Sequence, residues 1–152
     1  MAIKVHDICA LLSVYDMPEA VRFYSELLGF ELVSRAPTYE TIGGVEHFHW
    51  CMLRNGSSYL MLNTEYDTGE RPAERPVFEE QRFGAWFFFG CEDLDEARRQ
   101  LEAAGVACDG PKVAGYGFRT LSFRDPDGHG ITLQQRISPI STGLEKSSNS
   151  LQ

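Results

Sequence analysis

The chain has 152 residues, of which 43% are hydrophobic and 24% charged, and its formal net charge is -8. This composition is typical of a soluble globular protein, and the length is that of one domain. The acidic balance argues against nucleic acid and anionic membranes as partners, because phosphates are bound by basic faces.

The sequence carries no predicted export or membrane signal. Residues 1–7 lack the apolar core of a signal peptide, and no apolar run approaches the roughly 20 residues of a membrane span. We therefore expect a cytoplasmic protein. The cysteines lie far apart without a Cys-x-x-Cys pair, so we expect reduced, buried thiols. They are Cys9, Cys51, Cys91 and Cys108.

The first half of the chain predicts a strand, a helix and three further strands. After the first strand, Asp16 can cap a helix that ends at Gly29. Residues 39–45 are predicted as a loop or a flexible edge, and Asn55-Gly56 is a strong hairpin signal between the last two strands. The predicted strands are residues 8–14, 30–34, 47–53 and 59–63.

The second half repeats this order after a charged, proline-containing linker. Asp93 and Glu96 repeat the spacing of Asp16 and Glu19 at the start of a second helix, which indicates an internal repeat. The Asp-Pro-Asp-Gly sequence at 125–128 predicts a tight turn before the last strand. The other predicted elements are a strand at 85–91, a helix ending at Gly105, a short strand at 106–109 and a glycine-containing loop at 110–117.

These elements predict an α+β fold made of two βαβββ modules. A module of about 60 residues is marginal alone, so the two must share a core. Two modules that face each other produce a curved mixed sheet around a central cavity, where we expect the function to lie. The predicted organisation is a single domain at 1–137, with module one at 6–65, a linker at 66–82, module two at 83–137 and a polar tail at 138–152.

The paired modules, the Gly29-Phe30 pair and the Asp-Pro-Asp-Gly turn resemble the glyoxalase, bleomycin-resistance and extradiol-dioxygenase family, also called vicinal oxygen chelate proteins. The resemblance covers residues 6–137 and leaves the tail outside. Because one fold hosts many functions, it is informative about the fold more than about the reaction. Family members commonly pair two chains, so the resemblance implies a homodimer.

The resemblance also locates the four cavity-facing points at which the family's metal enzymes bind their ion. These points fall on Cys9, Met61, Trp86 and Thr132. None is a histidine, glutamate or glutamine. Indole has no lone pair to offer, and threonine and thioether are poor ligands for hard or borderline ions. The resemblance therefore implies that the family's metal site is absent, and we predict no metal and no cofactor.

Two histidines leave an alternative open. His47 and His49 are predicted on one face of a strand with metal-like spacing, but no carboxylate is predicted beside them. We interpret them as surface or hydrogen-bonded residues. A new metal site built from Cys9, His47 and His49 remains the alternative.

Strand parity predicts a binding surface, because residues two apart share a face. The cavity-facing set is Cys9, Leu11, Ser13, Tyr59, Met61, Asn63, Trp86, Phe88, Thr132 and Gln134. Tyr116 and Arg119, on or beside the glycine loop, are further candidates. Aromatic and soft apolar walls with a few hydroxyls and amides suit a flat organic ligand. The alternative is an ordinary packed core, in which the Trp86 N-H needs a partner.

Two functions follow from these patterns. The first is a bleomycin-resistance-like, metal-independent protein that binds a small aromatic or drug-like molecule without catalysis. The alternative is a metal-dependent lyase, isomerase or dioxygenase with an atypical metal site. Acid-base catalysis has little support, because no carboxylate pair and no nucleophile with a base is visible.

Overall fold

The computed structural model describes residues 1–77 and 85–137. The predicted tail at 138–152 and the end of the predicted linker lie outside the described residues. The helices are α1 (Met17–Arg22), which continues into a π-helical turn (Phe23–Leu27), and α2 (Leu94–Ala103). The strands are β1 (Ala10–Val14), β2 (Glu31–Arg35), β3 (Glu40–Ile42), β4 (Val45–His47), β5 (Trp50–Asn55), β6 (Ser58–Thr64), β7 (Trp86–Gly90), β8 (Cys108–Val113), β9 (Phe118–Arg124) and β10 (Gly130–Arg136).

The chain divides into two compact units with the same topology. The first unit is Met1–Arg82 with Asp125–Gly128, and the second is Phe83–Arg124 with His129–Gln152. The first contains a sheet of order β1-β6-β5-β2 and the second a sheet of order β7-β10-β9-β8. In each sheet the first and last strands of the unit pair in parallel. The predicted α+β class and the repeated βαβββ order are confirmed.

Both helices begin where the sequence predicts, at an aspartate. Asp16 Oδ1 accepts a hydrogen bond from the Glu19 backbone N-H at 3.0 Å, and Asp93 does the same for Glu96 at 3.0 Å. Each bond satisfies a backbone donor that the first helical turn leaves without a partner. The caps therefore fix where each helix leaves its preceding strand.

Each helix covers one face of the sheet in its own unit. In the first unit, Tyr24 and Met17 are fully buried with Leu62 of β6. In the second, Leu101 of α2 and Ile131 of β10 are fully buried. Burying a side chain of this size contributes about 1.5–3 kcal/mol. The opposite face of each sheet carries the candidate site.

Three predicted elements differ in the structure. Residues 40–47 form the hairpin β3–β4 where a loop or flexible edge was predicted at 39–45, because Gly43 and Gly44 both take positive φ and close a tight turn. Strand β8 extends through Gly110 to Val113, with a register irregularity between Asp109 and Lys112 that keeps it paired with β9. Strand β5 begins only at Trp50.

The cysteines also differ from the expectation. Cys51 is buried in β5, but Cys9 is exposed, and Cys91 and Cys108 are half-buried. Cys9 precedes β1 and therefore lies outside the sheet. Burial raises the pKa of the Cys51 thiol to about 11.

The predicted turn at Asp125–Gly128 belongs to the first unit and is held there by hydrogen bonds to two buried aspartates, Asp125 and Asp127. Tyr24 Oη donates to Asp125 Oδ2 at 2.6 Å, and the Tyr15 N-H donates to Asp127 Oδ1 at 2.9 Å. Arg75 also donates to Asp127 Oδ1, at 2.8 Å. Charge-assisted bonds of this kind are about twice as strong as neutral ones. The turn is therefore part of the core of the first unit.

Neither α1 nor α2 has the length and apolar composition that a membrane-spanning helix needs.

Candidate functional site

The first unit presents an open face opposite its helix. Between β1 and β6, Leu11 is paired with Met61 and Ser13 with Asn63. Between β6 and β5, Met61 is paired with Met52. Leu11 and Tyr59 are 53% and 45% exposed, while Leu12 and Leu62, on the other face of the same strands, are buried. The open face therefore has a row of soft apolar side chains beside a row of polar ones. Five predicted residues share it: Leu11, Ser13, Tyr59, Met61 and Asn63.

The second unit presents a more aromatic open face. Trp86 and Phe88 lie on the same side of β7 and are 43% and 54% exposed. Beside them on β10 are Thr132 and Gln134, paired with Phe88 and Gly90. The exposure of Trp86 and Phe88 argues against the alternative that they form an ordinary packed core. The predicted residues on this face are Trp86, Phe88, Thr132 and Gln134.

The indole of Trp86 is held in one orientation. Its Nε1-H donates to Thr132 Oγ1 at 2.7 Å, and Ser122 Oγ lies 2.8 Å from the same Thr132 oxygen. The benzene ring of the indole lies against Gly130, where an added Cβ would overlap Cε3, Cδ2 and Cζ3. The absence of a side chain at Gly130 on β10 therefore leaves space for the Trp86 ring of the neighbouring strand β7. Neither Gly130 nor Ser122 was predicted as a site residue.

Two arginines also lie on this face and were not predicted. The guanidinium carbon of Arg124 lies over the Trp86 ring, 4.9 Å from its centroid. The guanidinium of Arg136 lies 5.3 Å from the centroid of Phe118. Tyr116, a predicted site residue, is exposed and its ring contacts Phe118 at a centroid distance of 5.5 Å. Strand parity applied to β9 and β10 would have identified both arginines.

Two predicted site residues lie elsewhere. Arg119 lies in β9 on the face that the helix covers, the same face as the buried Leu121 two positions later. Its guanidinium donates to the Asp95 carboxylate of α2 at 3.1 and 3.3 Å. These bonds lower the pKa of the Asp95 carboxyl. Cys9 precedes β1 and has no strand partner. Trp50 pairs with Asn63 and lies on the open face of the first unit.

The histidines are separated and engaged in other contacts. His47 ends β4 and is buried, whereas His49 lies between β4 and β5, so the two do not share one strand. His49 stacks on Tyr39 with ring centroids 3.9 Å apart. Its Nδ1 and Nε2 lie 2.6 and 3.0 Å from Thr64 Oγ1 and Thr68 Oγ1. Both ring nitrogens thus have hydroxyl partners.

The residues at the family's metal positions do not fit a divalent ion. The Trp86 Nε1-H is a donor engaged with Thr132, and the Thr132 hydroxyl already has two partners. Met61 offers only a thioether, which is a poor ligand for hard ions. In residues 1–77 and 85–137, no three His, Cys, Asp or Glu side chains are grouped as metal ligands would be.

Comparison with known proteins agrees with this fold. A family model described as the Glyoxalase/Bleomycin resistance protein/Dioxygenase superfamily matches residues 6–133. The chain belongs to this superfamily. The resemblance drawn from the modules and the Asp-Pro-Asp-Gly turn is thereby confirmed. A search of curated proteins finds no match.

Several solved structures are similar to this chain. TnmS3, an antibiotic binding protein from Streptomyces sp. CB03234, is 28% identical with a TM-score of 0.61, over 90% of this chain and 98% of that protein. A glyoxalase/bleomycin resistance protein from the same organism is 30% identical with a TM-score of 0.56. The match covers 84% of this chain and 97% of that protein. A glyoxylase/bleomycin resistance protein/dioxygenase domain from Frankia sp. EAN1pec has a TM-score of 0.63 over 90% of this chain and 99% of that protein. Its sequence is 19% identical, so this likeness is evidence for the fold alone.

Proposed function

We propose that this protein binds a flat aromatic or drug-like molecule without catalysis and without a metal, and that the open face of its second unit is the binding surface. The observation that carries the proposal is the neighbouring pair Trp86 and Phe88, both of which expose a large part of their rings. Adjacent exposed aromatic side chains are typical of a surface that another molecule covers. Such rings contact flat ligands by stacking or edge to face.

The polar groups around Trp86 support this choice of surface. Because the indole N-H is already bonded to Thr132, the ring is oriented before any ligand arrives. Orientation in advance lowers the entropy lost on binding. Gln134, half-buried on the same face, supplies an amide that can donate to and accept from a ligand. The similarity to TnmS3, described as an antibiotic binding protein, supports a small-molecule ligand.

Two tryptophan variants test which face binds. A thermal-shift screen of planar polyaromatic and glycopeptide-like compounds supplies the ligand. Trp86→Ala should then weaken binding by roughly 1–3 kcal/mol, the range for loss of an aromatic anchor. Trp50→Phe alters the open face of the first unit and should retain most of the affinity. If Trp86→Ala binds the ligand as tightly as wild type, or if no compound binds, the proposed surface is wrong.

We also propose that the protein is a homodimer. Strands β1 and β2 end the sheet of the first unit, and β7 and β8 end that of the second. Sheet edges expose backbone hydrogen-bonding groups and are usually covered. Light scattering at micromolar concentration should give the mass of two chains. A mass near that of one chain would contradict the proposal.

A further inference from the structure

We propose that the open face of the second unit selects aromatic ligands that carry a primary amide or a lactam, and that the side chain of Gln134 recognises this group. The inference rests on the proposed function, because it names the class of ligand bound at the same face. It follows from the position of Gln134 beside Phe88 and Gly90, and from the hydrogen bonds that the polar side chains of this face make.

The end of β7 leaves an open space next to Phe88. Gly90 lies on the same face of the strand two positions after Phe88, and a Cβ added at Gly90 would meet no atom within 4 Å. Gln134 is the direct neighbour of Gly90 across the β7–β10 pair, and Phe88 is 54% exposed. A flat molecule can therefore contact the Phe88 ring and lie over the bare backbone of Gly90, beside Gln134.

Gln134 offers an amide that the protein does not use. Its carboxamide has no hydrogen-bond partner among the residues that the structure describes, and the residue is half-buried. The other polar side chain next to Phe88 is engaged, because Thr132 Oγ1 is bonded to Trp86 and Ser122. A ligand that covers the Gln134 amide removes water from it, so ligands that replace the lost hydrogen bonds are favoured.

The chemistry of a carboxamide determines which ligands can do this. A glutamine side chain presents an acceptor oxygen and an N-H donor side by side in one plane. A primary amide or a lactam presents the complementary donor and acceptor in the same arrangement, so the two groups can form a pair of parallel hydrogen bonds. A ketone or an ester has the acceptor alone and leaves the Gln134 oxygen without a partner. Gln134 therefore distinguishes ligands of the same shape by their hydrogen-bonding groups.

The next residue of β10 provides a comparison within the same strand. Side chains alternate along a strand, so Gln135 lies on the opposite face from Gln134. Its Nε2 donates to the backbone carbonyl oxygen of Glu92 at 2.6 Å. The Gln135 amide is thus used to hold the loop before α2, whereas the Gln134 amide is available to a ligand.

Three neutral probes of nearly equal shape test the inference. They are 2-naphthamide, 2-acetylnaphthalene and 2-isopropenylnaphthalene, which carry a donor and an acceptor, an acceptor alone, and neither. Affinities are measured by equilibrium dialysis. Wild-type protein should bind the amide about 3- to 10-fold more tightly than the ketone, the effect of one additional hydrogen bond. Ring contact alone predicts the opposite order, because the amide is the most strongly hydrated of the three.

Variants of the two neighbouring glutamines assign the effect. Gln134→Leu and Gln134→Met, which lack the amide, should abolish or reverse the preference for 2-naphthamide. The matched control is Gln135→Leu, on the opposite face of β10, which should retain the preference. Gly90→Val should weaken binding of all three probes, because its side chain occupies the open space next to Phe88. Circular dichroism verifies that each variant is folded.

The outcomes separate this inference from the proposed function. Equal or weaker binding of the amide than of the ketone by wild type overturns the inference alone, because an aromatic molecule still binds. So does a preference that survives in both Gln134 variants or is lost in Gln135→Leu, and so does unchanged affinity in Gly90→Val. If none of the three probes binds while a screened compound binds through Trp86, the inference again fails alone. If no compound binds, both fail.

Discussion

The indole of Trp86 occupies the space that a side chain at Gly130 would need. The two residues are direct neighbours across the β7–β10 pair. The smallest residue on β10 thus lets the largest residue on β7 lie across the sheet, with its N-H directed at Thr132. The orientation of Trp86, the proposed binding residue, therefore depends on the absence of a Cβ at position 130.

Gly130→Ala should therefore displace the Trp86 ring and break its hydrogen bond to Thr132. We expect the free energy of unfolding to fall by about 1–3 kcal/mol, the usual cost of overpacking, together with a change in the near-ultraviolet circular dichroism of tryptophan. The control is Gly90→Ala, on the same face of β7, where an added Cβ meets nothing within 4 Å. If urea unfolding and the tryptophan spectrum respond equally in both variants, the packing described for Gly130 is incorrect.

Tyr24→Phe should destabilise the first unit. The Tyr24 hydroxyl is buried and donates to Asp125 Oδ2 at 2.6 Å, and burial together with this carboxylate raises the pKa of the phenol. Removing the donor should lower the free energy of unfolding by about 1.5–3 kcal/mol, the range for hydrogen bonds to charged groups. Tyr116→Phe, at an exposed ring, should change it by about 0.5 kcal/mol or less. Equal stability of Tyr24→Phe and wild type in urea would refute the role of this bond.

Alkaline pH should destabilise the protein through Cys51. Burial raises its pKa to about 11, from an ordinary value of 9.0. Between these two pH values the Cys51 thiol therefore keeps its proton in the folded state and has lost it in the unfolded state. This contribution to stability is complete below pH 9 and is lost as the pH rises towards about 11. Urea unfolding across this range should show a shallower decline for Cys51→Ala than for wild type; parallel declines would contradict the assignment.

Divalent metals should leave the melting temperature unchanged. A ligand that binds the native state raises stability in proportion to the logarithm of its excess over the dissociation constant, so a tight site would be detected. Zinc, nickel, manganese and iron(II) should be tested by thermal shift, with elemental analysis of the purified protein. A shift of several degrees with one metal, lost in Cys9→Ser or His49→Ala, would favour the enzyme alternative instead.

The sequence predicted what depends on local periodicity. Trp86 and Phe88 lie on the same face of β7, as predicted, because side chains alternate along a strand whatever the strand pairs with. The capping roles of Asp16 and Asp93 are confirmed for a similar reason, since a capping box needs only residues three positions apart. These features required no knowledge of distant parts of the chain.

What the sequence did not predict depends on neighbours that are distant in the chain. The importance of Gly130 follows from where an indole on another strand lies, and the position of Arg119 follows from its bonds to Asp95 on α2. The β3–β4 hairpin was missed for a different reason. Gly43-Gly44 fits both a flexible loop and a tight turn, and only the pairing of the flanking residues distinguishes them.

The burial of the Asp125–Gly128 turn in the first unit has a consequence for synthesis of the chain. Tyr15 and its partner Asp127 are 112 residues apart, which the ribosome translates in about 6–22 s at typical rates. Over that time the N-terminal half lacks the residues that complete its polar core, so it should finish folding only after Asp127 has been synthesised. A nascent chain arrested before Asp125 should be digested by protease more readily than the released protein, and equal resistance would show that the N-terminal half folds without this turn.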